Sequence, residues 1–229
     1  MKDIELTLYD IFGYLFPGIV ALVALYLMIW RVTLPRTQNL NGLSSLGWTA
    51  FLIAAYLVGH FTQAISNFIS RLFHENLERA VLANPRFVPP AVLRLAVSRA
   101  CQPMVPADAQ QISPEALYDI MDHCLQQHGR TDNRDLYICR EGFYRGLSAS
   151  LWLLAAAAMF HVTGGQRSLA VFGVNVIVTP GLATLVAVLS GTMALSAIMR
   201  YRRFAVYRIK NAVYAFLATN ARQEQRGPQ

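Results

Sequence analysis

Asp, Glu, Lys and Arg are missing from four long stretches of this chain, 11–30, 37–70, 146–166 and 168–199. A helix needs roughly 20 apolar residues to cross a bilayer. Each stretch is long enough for one crossing, and the second and fourth leave room for turns outside it. The pattern predicts spans at about 9–31, 47–70, 146–163 and 181–200.

The first apolar run, "LYDIFGYLFPGIVALVALYLMIW" (8–30), carries Asp10, Gly13, Pro17 and Gly18 near its start. A proline inside a helix removes one backbone hydrogen bond and crowds the carbonyl four residues back, here that of Gly13. Gly13-x-x-x-Pro17-Gly18 therefore reads as a kink or corner, with residues 3–15 lying along the interface before turning inward. The alternative is a single tilted helix with a harmless kink. The run is too long for a cleaved signal peptide and no small-residue cleavage site follows, so it is expected to remain in the mature protein.

Between the second and third spans the pattern is helical and broken by prolines. The second span is expected to continue to about Ala83, where "NPRFVPP" (84–90) stops it. Helices follow at 91–101 and 115–128, the latter with Ser113 as N-cap and Pro114 in first position. A further helix runs from Asp135 straight into the third span. Residues 167–181, "RSLAVFGVNVIVTPG", alternate, are rich in Val and Ile and turn around a glycine, which predicts a β-hairpin. Residues 200–221 predict a basic, aromatic, amphipathic helix, and the last seven a disordered end. The expected fold is mainly α: a four-span transmembrane helix bundle with a small helical cytoplasmic domain and a short extracytoplasmic β-hairpin. Its parts are a first transmembrane hairpin (1–70), the cytoplasmic domain (71–145), a second hairpin (146–200) with its β-loop at 167–180, and a basic tail (201–229).

Charge sets the expected orientation. The tail 200–229 holds seven Lys or Arg against one acid, 71–145 holds nine Arg and nine acids, and loops 31–46 and 164–180 hold three Arg in all. Cationic loops favour the cytoplasmic side. Both termini and 71–145 are thus expected inside a bacterial inner membrane and the two short loops outside, with Trp30 and Trp48 as interfacial anchors. The three cysteines then face a reducing compartment.

Of the 229 residues, 55% are hydrophobic and 14% are charged, against about 25% charged in ordinary soluble domains. Nothing resembles a Gly-x-Ser-x-Gly elbow, a phosphate-binding glycine loop or His-Glu-x-x-His, so no catalytic residues and no enzyme are expected. Cys124 and His128, with Asp122 and His123 adjacent, have the spacing of half a zinc site. A structural zinc needs four ligands and no second pair appears, so neither a metal nor another cofactor is expected.

Two patterns remain as candidate sites. Tyr56, His60, Gln63, Asn67, Arg71 and His74 recur at spacings of three and four, on one face of the second span. Polar groups toward lipid are costly, so this face meets protein or water. Tyr56, His60, Gln63, Asn67 and Arg71 are candidate pore-lining residues, or alternatively interhelical hydrogen-bonding groups that hold the bundle together. The second pattern joins "CREGFYRG" (139–146) with "RYRRFAVYRIKNAVYAF" (200–216). Arg140, Arg145, Arg202, Arg203 and Tyr207 combine cations with aromatic faces and are candidate ligand-binding residues. The alternative is a juxtamembrane stop signal touching anionic lipid.

The stretches "LYDIFGYLFPG", "REGFYRG" and "MRYRRF", and the layout of the whole chain, resemble the small multi-span inner-membrane effectors of bacterial antiphage nucleotide-signalling systems, Hailong-type systems above all. The resemblance implies an oligomeric channel, a tetramer by preference. A nucleotide or oligonucleotide bound at the cytoplasmic part would gate it. A non-conducting membrane sensor or scaffold that recruits a cytoplasmic defence partner protein, as in Kiwa-type defence, is the alternative.

Overall fold

The structure is a computed structural model that describes residues 2–32, 37–39, 44–73, 77–100, 112–129, 132–164, 166–171 and 174–226. It is mainly helical. The elements are α1 (Lys2–Val32), β1 (Thr37–Asn39), α2 (Ser45–Phe73), α3 (Leu77–Leu82), α4 (Pro90–Ala100), α5 (Pro114–Gln127), α6 (Asp132–Val162), β2 (Arg167–Val171), β3 (Val174–Val178) and α7 (Pro180–Arg226). Four helices contain segments long and apolar enough to cross a membrane, Gly13–Val32, Ser45–Ser70, Arg134–Val162 and Pro180–Ala221.

The chain divides into two units. The first is Met1–Ile69 with Gly142–Tyr201, and the second is Ser70–Glu141 with Arg202–Gln229. Their packing chemistry is opposite. In the first unit the buried positions are mostly small, including Ala21, Ala24, Ala55, Ser150, Ala157 and Ala194, while Leu52, Phe61, Phe68, Leu185 and Met193 are exposed. Water would drive those large side chains inward. In lipid they can face outward, and helices associate through small residues that let their backbones approach. In the second unit the core includes Val81, Leu82, Leu117, Met121, Leu125, Ile209, Val213 and Phe216, large side chains turned inward. Its α7 portion, set apart in the sequence as a basic tail, supplies three of those residues.

Within the first unit, α1 runs unbroken through Pro17, so the corner expected near Gly13 is absent and the single-helix alternative describes it. Pro17 is buried, against α6 at Gly146. The close approach lies between α1 and α2. A Cβ on Gly18 would overlap the Ala55 carbonyl, and one on Gly59 would overlap the Tyr14 carbonyl. The α6–α7 contact uses the same small residues, with Ser148 donating to the Ala194 carbonyl at 3.2 Å.

The hairpin at 167–181 is present. β2 pairs antiparallel with β3, from Arg167 opposite Val178 to Val171 opposite Val174. A third strand was not expected: β1 pairs parallel with β2, with Thr37 opposite Ser168. Arg167 donates to the carbonyls of Trp30 and Arg31, the latter at 2.8 Å. These carbonyls end α1 and have no partner within the helix, so a guanidinium there satisfies them and complements the negative end of the dipole. Trp30 is fully buried beneath that guanidinium and 5.6 Å from the His161 ring. The Trp30 ring is thus covered by the chain itself. Trp48 keeps 36% of its surface exposed.

Other boundaries shift. The second-span helix was expected to reach Ala83. α2 is described to Phe73 and α3 from Leu77, and residues 74–76, on which that continuation turns, lie outside the described residues. α6 begins at Asp132, three residues earlier than expected, and α7 stays helical to Arg226, into the segment expected to be disordered. Ser113 caps α5 as expected, accepting from the Ala116 amide at 3.2 Å. Gly129 follows that helix in the left-handed region, φ 64°, where glycine carries no Cβ penalty.

Candidate functional site

The polar face of α2 is the first candidate. Gly18 and Gly59 bring the backbones of α1 and α2 into contact, and this sets Tyr14 against His60. Their rings stack with centroids 3.6 Å apart and planes 18° from parallel. Tyr56 meets both rings edge-on, 4.7 Å from His60 and 5.9 Å from Tyr14. One turn further, Gln63 lies against α6, where a Cβ on Gly146 would come within 2.9 Å of its Cγ. Ser66 is buried and donates to the Arg145 carbonyl at 3.2 Å. The face is thus divided. Tyr56, Gln63 and Ser66 turn toward α1 and α6, His60 stacks on Tyr14 of α1 yet keeps an exposed side, and Asn67 is exposed at the surface of the chain. Arg71 is within α2, but its side chain and the whole of His74 lie outside the described residues. Tyr14 and Ser66 were missed in the sequence, although Ser66 stands three residues after Gln63 and shares its face.

The second candidate is basic and aromatic. Arg140, Arg202, Arg203 and Tyr207 belong to the second unit, and Arg145 belongs to the first, where it lies over the Tyr201 ring at 5.7 Å. Arg140 lies over Phe204 at 5.5 Å. Arg203 lies over Tyr207 at 5.4 Å and donates from Nε to its hydroxyl at 2.8 Å. Tyr137 joins them, 6.5 Å from Phe204 and 6.1 Å from Tyr207. Tyr137 and Phe204 were not selected from the sequence. Their signal was position: Tyr137 precedes Arg140 by three, and Phe204 precedes Tyr207 by three.

Arg208 turns the other way. It donates to Glu141 and to Glu78, each at 3.0 Å, and to the Tyr118 hydroxyl at 2.7 Å. Its side chain is 14% exposed. A guanidinium this buried needs its charge matched and its donors filled, and the two carboxylates and the phenol do both across α3, α5, α6 and α7. Burial pushes the Tyr118 phenol above its usual range although Arg208 pulls it down, so it stays protonated and accepts from Arg208. Charge counting placed Arg208 with the exposed cations of the tail, whereas it is an internal strut.

Two of the acids between 119 and 135, Asp122 and Asp135, are paired. Arg134 binds Asp122 through Nε and Nη2, the second at 2.7 Å, and Asp135 through Nη1 at 3.0 Å. Cys124 on α5 lies beside His128, the C-cap of that helix, with Sγ 3.7 Å from Nδ1. Among the described residues no group of three His, Cys, Asp or Glu side chains is placed to hold a metal ion. Burial raises the Cys124 thiol above its usual range, which disfavours the reactive thiolate.

Fold and sites together define a class: a mainly helical protein with four helices long and apolar enough to cross a membrane, and a second unit with a core of large apolar side chains. No protein-family model, curated protein or solved structure matches the chain.

Proposed function

We propose that the protein is an oligomeric channel or pore-forming effector of the bacterial inner membrane, acting in antiphage defence. It would be gated by a nucleotide or oligonucleotide bound at its cytoplasmic helical unit. The observation that carries this reading is the exposure of His60 and Asn67 on a stretch of α2 whose large exposed side chains are Leu57, Phe61, Ile65, Phe68 and Ile69. Polar side chains at membrane depth are expensive against lipid and are met by water or by protein. In a homo-oligomer, tetrameric by preference, that face of α2 would line the conducting path with Tyr56, Gln63 and Arg71. Arg140, Arg202, Arg203 and Tyr207 of the second unit would take the phosphate-rich signal.

The test is ion flux from liposomes carrying the purified protein. His60→Leu with Gln63→Leu is expected to lower signal-dependent flux at least about tenfold while expression and assembly persist. Wild-type flux in the double variant would remove α2 from the path.

A second reading has its own support. Tyr56, Gln63 and Ser66 already engage α1 and α6 within one chain, as groups that merely hold a bundle together would. On this reading the protein is a non-conducting membrane scaffold that recruits a cytoplasmic defence partner. It predicts no flux from wild-type protein under any signal.

Orientation is tested separately. The charge distribution leads us to place both termini, with 71–145, in the cytoplasm and the strands outside. A cytoplasm-only reporter fused at the C-terminus and a periplasm-only reporter inserted at Gly173 should both be active. Silence of the C-terminal fusion alone would mean an odd number of crossings.

A further inference from the structure

Arg140 and Arg203 differ in surroundings from Arg134 and Arg208 of the same unit. The latter two are held by carboxylates. The placed partners of Arg140 and Arg203, among the described residues, are rings and one phenol hydroxyl: Phe204 under Arg140, and Tyr207 under Arg203. The rings form a triangle, since Tyr137, Phe204 and Tyr207 are each within 6.5 Å of the other two. Two guanidinium groups thus lie on one aromatic cluster, with no acid among the described residues paired to them. Arg203 uses Nε for the Tyr207 hydroxyl, which leaves its terminal nitrogens to form a fork toward an anion.

A guanidinium fork matches two phosphate oxygens, and a guanidinium already lying on a ring loses less freedom when it binds. Tyr137 and Phe204 are half-buried and Tyr207 is exposed, so the rings offer an apolar flank beside the cations. We propose that Arg140 and Arg203 bind the phosphate of a phosphate ester, with the Tyr137–Phe204–Tyr207 cluster lying against its organic part. Arg145, in the other unit, is outside this site.

Two sources share that chemistry. Arg203 follows Met199, the last residue of an uncharged stretch, by four positions, and Arg140 precedes Gly146, the first of another, by six. At no more than about 3.6 Å per residue, both lie within reach of a lipid headgroup layer. The other source is a soluble ester, and for that source alone the inference rests on the signal-gated reading above.

The experiment titrates two probes into the full-length protein in neutral detergent: a fluorescent phosphatidylglycerol and a fluorescent ATP. Arg140→Gln with Arg203→Gln is expected to weaken one probe by about tenfold or more. The paired Lys variant should recover part of that loss. Arg79→Gln with Arg86→Gln removes the same charge from exposed positions of the same unit and should stay within about twofold of wild type. Loss confined to the lipid assigns a headgroup site, and loss confined to ATP a soluble ligand. Unchanged affinity for both probes, or an equal loss in the Arg79 and Arg86 pair, overturns the proposal. Absence of ion flux from the wild type would overturn the channel reading and leave this result standing.

Discussion

Arg208→Met is expected to loosen the helical unit by about 3 kcal/mol, because it strands Glu78 and Glu141 without a counter-charge in a buried setting. The same substitution at exposed Arg202 should do little. In detergent-solubilised protein, thermolysin cleavage within 70–141 under native conditions should rise on the order of a hundredfold for Arg208→Met, since cleavage follows the population of the opened state. Glu141→Gln should be milder, as an amide oxygen still accepts from the guanidinium. Replacing Arg208, Glu78 and Glu141 together with Met, Leu and Leu should restore much of the resistance, since an apolar trio leaves no orphaned charge. If Arg208→Met and Arg202→Met are cleaved alike, the network adds nothing to the unit.

Arg208 also shows where a sequence stops being readable. Its partners are 130 and 67 residues away, and no local pattern pairs such positions. The pattern did contain one clue. Ala205, Ile209, Ala212, Val213 and Phe216 are buried, and Arg208 stands four before Ala212, on that same helical face. A lone cation on an apolar face asks for a buried acid, and reading the tail by net charge hid the question.

The features that were legible are sums over neighbouring residues. Four uncharged stretches became four long apolar helices because length and composition suffice to define them. The β2–β3 hairpin was legible because two-residue alternation and a central glycine are local signals. β1 was not, since "TQN" is short and polar and is a strand through its pairing with β2, about 130 residues on. The burial of Trp30 was not legible for a related reason. Its place at the end of an apolar run resembles an interfacial anchor, but Arg167 and His161 arrive from distant segments to cover it. On α2, the spacing of Tyr56, His60 and Gln63 identified a polar face, while the division between inward and exposed members depends on where α1 and α6 pack.

Gly18→Leu and Gly59→Leu are expected to be the most damaging single substitutions in the four-helix unit, and Gly13→Ala among the mildest. All three glycines sit in helices, and Gly13 and Gly18 flank the same proline. The difference lies across the interface. At Gly18 and Gly59 a Cβ would run into the backbone carbonyls of Ala55 and Tyr14, and at Gly13 it would meet nothing within 4 Å. Backbone cannot rotate aside as a side chain can, so either leucine forces α1 and α2 apart. The cost is about 3 kcal/mol or more, together with loss of the Tyr14–His60 stack. Alanine at Gly13 should be neutral or stabilise the helix by up to about 1 kcal/mol. Size-exclusion of fluorescently tagged protein after heating separates the cases. Gly18→Leu and Gly59→Leu should lose the monodisperse peak at temperatures where wild type keeps it, and Gly13→Ala should keep it. Equal behaviour of the three variants would mean that α1 and α2 do not cross at these glycines. The stacked face of His60 would then need another origin.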